Sequence, residues 1–90
     1  MVTIKLPSQL RSLAQGRKTL EVEATTLGEA FDRVDEVAPM IRSQVLDGTG
    51  TVRAFVGVFV NSQQMTALGD GSLALPPGSQ LSIVMAVAGG

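Results

Sequence analysis

Val2-Thr3-Ile4-Lys5-Leu6 alternates apolar and polar residues with period two, as a half-buried strand does, and Pro7 ends the run. Leu20-Glu21-Val22-Glu23-Ala24 repeats the alternation with its carboxylates toward water. Residues 7–19 lie between, with a turn at Gln15-Gly16-Arg17, so the two runs predict an antiparallel pair joined by a long loop. The period then changes. Leu27, Ala30, Phe31, Val34 and Val37 or Ala38 recur at i, i+3, i+4 and i+7, the stripe of an amphipathic helix. Thr26 is its expected N-cap, and Glu29 three residues on completes a capping-box pattern. Pro39 should stop this helix and leave residues 40–46 as a second short helical piece against the core.

After the loop Asp47-Gly48-Thr49-Gly50, residues 52–60 read as a third strand. Val56, Val58 and Val60 share one face of it, and Arg53, Phe55, Gly57 and Phe59 the other. Asn61-Ser62-Gln63-Gln64 turns the chain, and residues 68–77 are irregular, punctuated by Gly69-Asp70-Gly71 and Pro76-Pro77-Gly78. Residues 80–87 form the last strand, with Leu81, Ile83 and Met85 alternating against Ser82, Val84 and Ala86. The order strand, strand, helix, strand, irregular segment, strand predicts a two-layer α+β domain, one helix covering one face of a mixed sheet.

Ninety residues support a single core, and a formal charge of −1 gives no basic footprint for nucleic acid or an anionic membrane. The absent residue types exclude more. Without cysteine there is no disulfide, thiolate metal site or cysteine nucleophile, and without histidine the commonest general base and metal ligand are missing. No tryptophan or tyrosine is present, and the aromatic content is Phe31, Phe55 and Phe59. The alternating N-terminus has no signal-like apolar core, and the apolar run 54–60 is far short of the ~20 residues that cross a bilayer. A cytoplasmic domain with no nucleic-acid or membrane partner is the expectation.

Candidate chemistry is sparse. Glu29, Asp32, Asp35 and Glu36 stand at helical spacing, where carboxylates line a solvent face; nothing convergent makes them a metal site. Asp47-Gly48-Thr49-Gly50-Thr51 and Gly69-Asp70-Gly71 have neither the lysine-and-hydroxyl pair of the Walker pattern nor G-x-G-x-x-G spacing before a helix, and read as turns. Gly89-Gly90 is different. Two residues without Cβ, close behind a strand, make a thin tail able to enter a channel too narrow for side chains. An α-carboxylate at its tip is ionised at neutral pH and is a poor electrophile, so using it requires activation by another protein.

The element order resembles that of the ubiquitin-like sulfur carriers of the ThiS/MoaD family. So do Thr26-Leu27-Gly28 opening the helix, Phe59-Val60-Asn61 ending the third strand and the closing Ala86-Val87-Ala88-Gly89-Gly90. The carriers paired with cysteine synthase-like enzymes look nearest, with molybdopterin carriers next. The resemblance implies a β-grasp fold, a four- to five-stranded mixed sheet with one main helix, the last strand parallel to the first in its centre. Residues 1–86 would form this domain and residues 87–90 a flexible tail.

The family's cycle assigns Gly90 the central role. A partner adenylating enzyme, using ATP and magnesium, makes the Gly90 acyl-adenylate. Sulfide or a donor protein's persulfide then displaces AMP to leave a thiocarboxylate, whose sulfur passes to a biosynthetic enzyme. Val87, Ala88 and Gly89 would enter the partner's active site. The chain itself would be no enzyme and bind no cofactor or metal. The absence of cysteine and of catalytic side chains is consistent with that division of labour. If Val56, Val58 and Val60 face the helix, Phe55 and Phe59 point outward with Val84, an apolar docking patch near the tail unless residues 68–75 cover it. The alternatives are a ubiquitin-like modifier joined to lysines through Gly90, and a β-grasp interaction module with an incidental tail.

Overall fold

The computed structural model describes residues 1–85. They form β1 (Val2–Lys5), α1 (Ser8–Arg11) with a 3-10 turn at Ser12–Ala14, β2 (Thr19–Val22), α2 (Leu27–Val37), α3 (Ile41–Val45), β3 (Val56–Val60), β4 (Gln63–Met65) and β5 (Gln80–Met85). One five-stranded sheet runs in the order β2-β1-β5-β3-β4. β5 occupies its centre, parallel to β1 with Ile4 opposite Leu81, and antiparallel to β3 with Val58 opposite Ile83. This is the β-grasp arrangement that the resemblance implies.

Strand parity sorts the sheet into two faces. Val2, Ile4, Leu20, Val22, Val58, Val60, Leu81 and Ile83 are buried against the helical layer. α2 supplies Leu27, Ala30, Phe31 and Val34 from the predicted stripe, and Phe31 is 1% exposed. Burying each of Leu27, Phe31 and Val34 stabilises the domain by about 1.5–3 kcal/mol relative to exposure. Thr26 caps α2, its Oγ1 accepting from the Glu29 N–H at 3.2 Å. The Glu29 carboxylate returns to the Thr25 N–H at 2.8 Å, one residue earlier than a capping box reaches. Pro39 follows the Ala38 C-cap, which is buried and has left the α region (φ −139°, ψ 79°), as the residue before a proline tends to. Ile41 and Val45 of α3 then bury against the same core.

Three expectations are corrected. The loop between the first two strands is mostly helical: α1 and the 3-10 turn bury Leu10 and Ala14, and Gln15 at φ 59° with Gly16 at φ 81° brings the chain back. The third strand begins at Val56, because Phe55 has φ 67° and sits in a turn. Finally, residues 63–65 leave the turn and pair with β3 as an edge strand, Gln64 opposite Phe59. Positive φ at both Asn61 and Ser62 makes the tight two-residue hairpin that right-twisted strands prefer. Asn61 also ties this hairpin to β5, its N–H donating to the Gln80 carbonyl at 3.0 Å and its Oδ1 accepting from the Gln80 N–H at 2.8 Å.

Candidate functional site

Gly90, with Val87, Ala88 and Gly89 before it, lies outside the described residues. The strand that precedes them is the central strand of the sheet. β5 has a hydrogen-bonded neighbour on each side, and its final residues Val84 and Met85 stand opposite Gly57 and Val56 of β3. A position fixed at the end of a central strand is fixed relative to the whole domain.

The sheet face turned away from the helices carries Glu21, Thr3, Lys5, Ser82, Val84, Gly57, Phe59 and Gln64, as the pairing registers and burial alternation require. Within it Phe59 and Val84 close around Gly57. A Cβ built at Gly57 would fall 2.8 Å from Val84 Cγ2 and 3.1 Å from Phe59 Cε1, so glycine there lets the two apolar side chains meet over the backbone. Sequence parity identified Phe59 and Val84 but gave Gly57 no role; a lone glycine inside a valine run is the signal for such a close approach. Val84 is 49% exposed and Phe59 half-buried.

Phe55 belongs to the turn before β3, not to the strand face, and at 76% it is the most exposed large apolar side chain described. A bulky residue at positive φ carries strain of roughly 1 kcal/mol or more, and this one recovers little of it by burial. Its neighbour Val56 is opposite Met85, which puts Phe55 at the sheet edge toward which β5 runs. Residues 68–75 do not cover the outer face. Gly71, Leu73 and Leu75 instead hydrogen-bond to Gly28, Leu27 and Thr25 at the start of α2.

The other candidates resolve into local structure. Glu29 caps α2, Asp32 pairs with Arg42 at 3.1 Å and Glu36 with Arg33 at 2.9 Å. Among the described residues no three acidic side chains converge. Asp47 takes the Thr49 hydroxyl at 2.6 Å and the Thr49 and Thr51 N–H groups, and Asp70 takes the Ser72 hydroxyl and N–H. Those donors hold both carboxyls below the ordinary carboxylate range, the hydroxyl being the largest cause in each case. A cleft of about 400 Å³ near α3 is lined by Asp35, Arg42, Ser43, Leu46, Asp47, Gly48 and Arg53. Its arginines already have partners, Arg42 pairing with Asp32 at 3.1 Å and Arg53 Nε donating to the Ser43 carbonyl at 2.8 Å. No helix among the described residues is long and apolar enough to cross a membrane.

The profile of the ThiS family matches residues 4–90. Sulfur carrier protein CysO of Mycobacterium tuberculosis is 29% identical over 91 residues, covering 99% of this chain and 98% of that protein. Among solved structures, that of the Amycolatopsis orientalis BexX/CysO complex includes a chain that superposes with a TM-score of 0.83 at 28% identity, each chain covered in full. SAMP1 from Haloferax volcanii superposes at 0.77 with 25% identity, covering 99% of this chain and 98% of its own.

Proposed function

The chain belongs to the ThiS family, and on that premise we propose that it is a sulfur carrier, a protein cosubstrate with no catalytic residues of its own, loaded and unloaded at Gly90. The observation that carries this reading is the family match itself, which runs through the fold and takes in Gly89-Gly90. An end-to-end similarity to a curated sulfur carrier supports it.

The chemistry follows from what a terminal carboxylate can do. A carboxylate oxygen of Gly90 attacks the α-phosphorus of ATP in an adenylating partner, with magnesium there, and pyrophosphate leaves. The mixed anhydride is an electrophile where the carboxylate was not. Sulfide attacks its carbonyl carbon, AMP leaves, and a thiocarboxylate remains. A donor protein's persulfide gives first an acyl disulfide, whose S–S bond a second thiol of the donor or partner breaks, releasing the thiocarboxylate and leaving a disulfide behind. A biosynthetic enzyme takes the sulfur, and water supplies the oxygen that restores the carboxylate. The chain binds neither ATP nor metal in this cycle and works in the cytoplasm. Val87, Ala88 and Gly89 thread the partner's channel, and Phe55, Phe59 and Val84 dock beside its mouth. A CysO in complex with BexX supports the view that a carrier of this fold seats on a second protein.

Intact-protein mass spectrometry tests the reading. The chain is incubated with the organism's adenylating enzyme for small β-grasp carriers, ATP, magnesium and a sulfide source. The expected gain equals the replacement of one oxygen by sulfur, localised to the fragment containing Gly90. No gain with an enzyme active on another carrier would overturn it. The likeness to SAMP1 keeps one second reading, a modifier. A lysine-linked conjugate through Gly90 in cells, in place of a thiocarboxylate, would decide for it.

A further inference from the structure

Residues 1–20 hold four cations, Lys5, Arg11, Arg17 and Lys18, and no carboxylate, whereas residues 21–36 hold six carboxylates against Arg33 alone. The fold separates part of this imbalance in space, with the four cations at one end of the sheet and Glu23 and Glu29 at the other. Lys5 ends β1, and the other three cations lie on the connection from β1 to β2, which the Leu6 N–H closes by donating to the Lys18 carbonyl at 2.9 Å. Because β5 is parallel to β1, with Lys5 opposite Ser82, that connection sits at the sheet edge toward which β5 runs. Phe55 stands at the same edge on the other side of β5. Glu23, Glu29 and Asp70 lie at the opposite edge, beyond Val22 and around the Gly28–Gly71 contact.

None of these four cations is neutralised by a carboxylate among the described residues. Among the described residues the ion pairs are Arg33–Glu36 and Arg42–Asp32, and none involves them. Lys5, Arg17 and Lys18 are exposed, and Arg11 is half-buried with its Nε pinned to the Leu6 carbonyl at 3.2 Å. Like charges gathered without counterions repel, which opposes folding and favours an external anionic surface.

We propose that this cationic corner is a second docking element, fitted to an acidic rim around the mouth of the adenylating partner that receives the tail; the proposal rests on the carrier reading. The six residues of β5 span about 20 Å at ~3.3 Å each, more than twice the Debye length of ~8 Å at physiological salt. A partner approaching one edge therefore senses the sign of that edge and little of the other. An acidic mouth attracts the Lys5–Lys18 edge and repels the Glu23–Asp70 edge, so the carrier arrives tail first, before any apolar contact forms.

The test is ATP–pyrophosphate exchange with the adenylating enzyme at varied ionic strength, comparing wild type with Arg17→Glu/Lys18→Glu and with Glu23→Lys. Both substituted positions of the double variant are exposed, and circular dichroism with urea unfolding verifies that it folds. At about 50 mM salt kcat/KM for the double variant should fall roughly tenfold with kcat unchanged, and the gap should shrink below about twofold at ~0.5 M. Glu23→Lys should stay within about twofold throughout. Unchanged kcat/KM at low salt, or a loss that persists at high salt, overturns the proposal. So does a double variant that loses binding to heparin, a generic polyanion, while exchange is unaffected. Absence of exchange with the wild-type chain would instead overturn the carrier reading, and this corner's role with it.

Discussion

Gly28 and Gly71 meet back to back, and replacing either tests the packing that closes the fold at the end opposite the finish of β5. The Gly28 N–H donates to the Gly71 carbonyl at 3.0 Å, beside the Leu27 N–H to Leu73 carbonyl bond at 2.9 Å. A Cβ on Gly28 would lie 3.0 Å from Gly71 Cα and 3.1 Å from its carbonyl oxygen, both backbone atoms that cannot swing aside. Gly28→Ala has a favourable term, since alanine in place of glycine in a helix gains about 0.5–1 kcal/mol. Against it stand overpacking of about 1–3 kcal/mol and a stretched hydrogen bond of about 0.5–1.5 kcal/mol. The unfavourable terms win, and a net loss of about 1–2 kcal/mol is expected. Gly71→Ala has no helical compensation and adds the strain of φ +77°, so it should lose about 2–3 kcal/mol. At roughly 4–8 °C per kcal/mol for a domain this size, Gly28→Ala lowers Tm by about 4–16 °C. Gly48→Ala is the control, having nothing within 4 Å of its added Cβ and no positive φ. It should be neutral or gain up to about 1 kcal/mol. Urea unfolding at constant m-value reads all three. A Gly28→Ala protein as stable as wild type would refute the back-to-back contact as the reason for glycine.

Phe55→Asn should do two opposite things. It relieves strain at φ 67°, raising stability by up to about 1 kcal/mol in urea unfolding, and it raises KM for adenylation by removing an apolar anchor; unchanged KM would remove Phe55 from the docking surface. Phe31→Ala should cost about 3–5 kcal/mol, most of a small domain's stability, and a loss under about 1 kcal/mol would contradict its burial. Asp47 and Asp70 should titrate below the ordinary value near 3.9 when carboxyl carbons are followed by NMR. Because their folded pKa values are depressed, what they add to stability is complete above about pH 4 and is lost as pH falls through the lowered native values. Titration of either at or above the ordinary value would break that account.

The sequence made α2 legible because its stripe, cap and stop agree, and the core faces of β1, β2 and β5 because alternation survives wherever one sheet face is wet. It failed where tertiary context decides. Leu10, Leu13 and Ala14 carry helical spacing, but over too few residues to outweigh the reading of a loop. Gln63-Gln64-Met65 gave no strand signal, since an edge strand with polar side chains is held by backbone pairing alone. Phe55 escapes strand parity because its backbone, at φ 67°, leaves the strand. Gly89-Gly90 lies outside the described residues, and its role rests on the sequence and the family match. The cationic corner was not legible, because only the parallel pairing of β1 with β5 brings residues 5–18 to the end where β5 finishes.

That pairing also sets when the protein can finish folding. β1 is made first and β5 last among the described strands, and β5 is what joins the β2–β1 hairpin to the β3–β4 hairpin. Until residues 80–85 are synthesised, two half-sheets with open edges wait without a common neighbour, and contacts this distant in sequence form slowly. A chain broken off during translation before Gln80 therefore lacks both the strand that the two half-sheets share and Gly90.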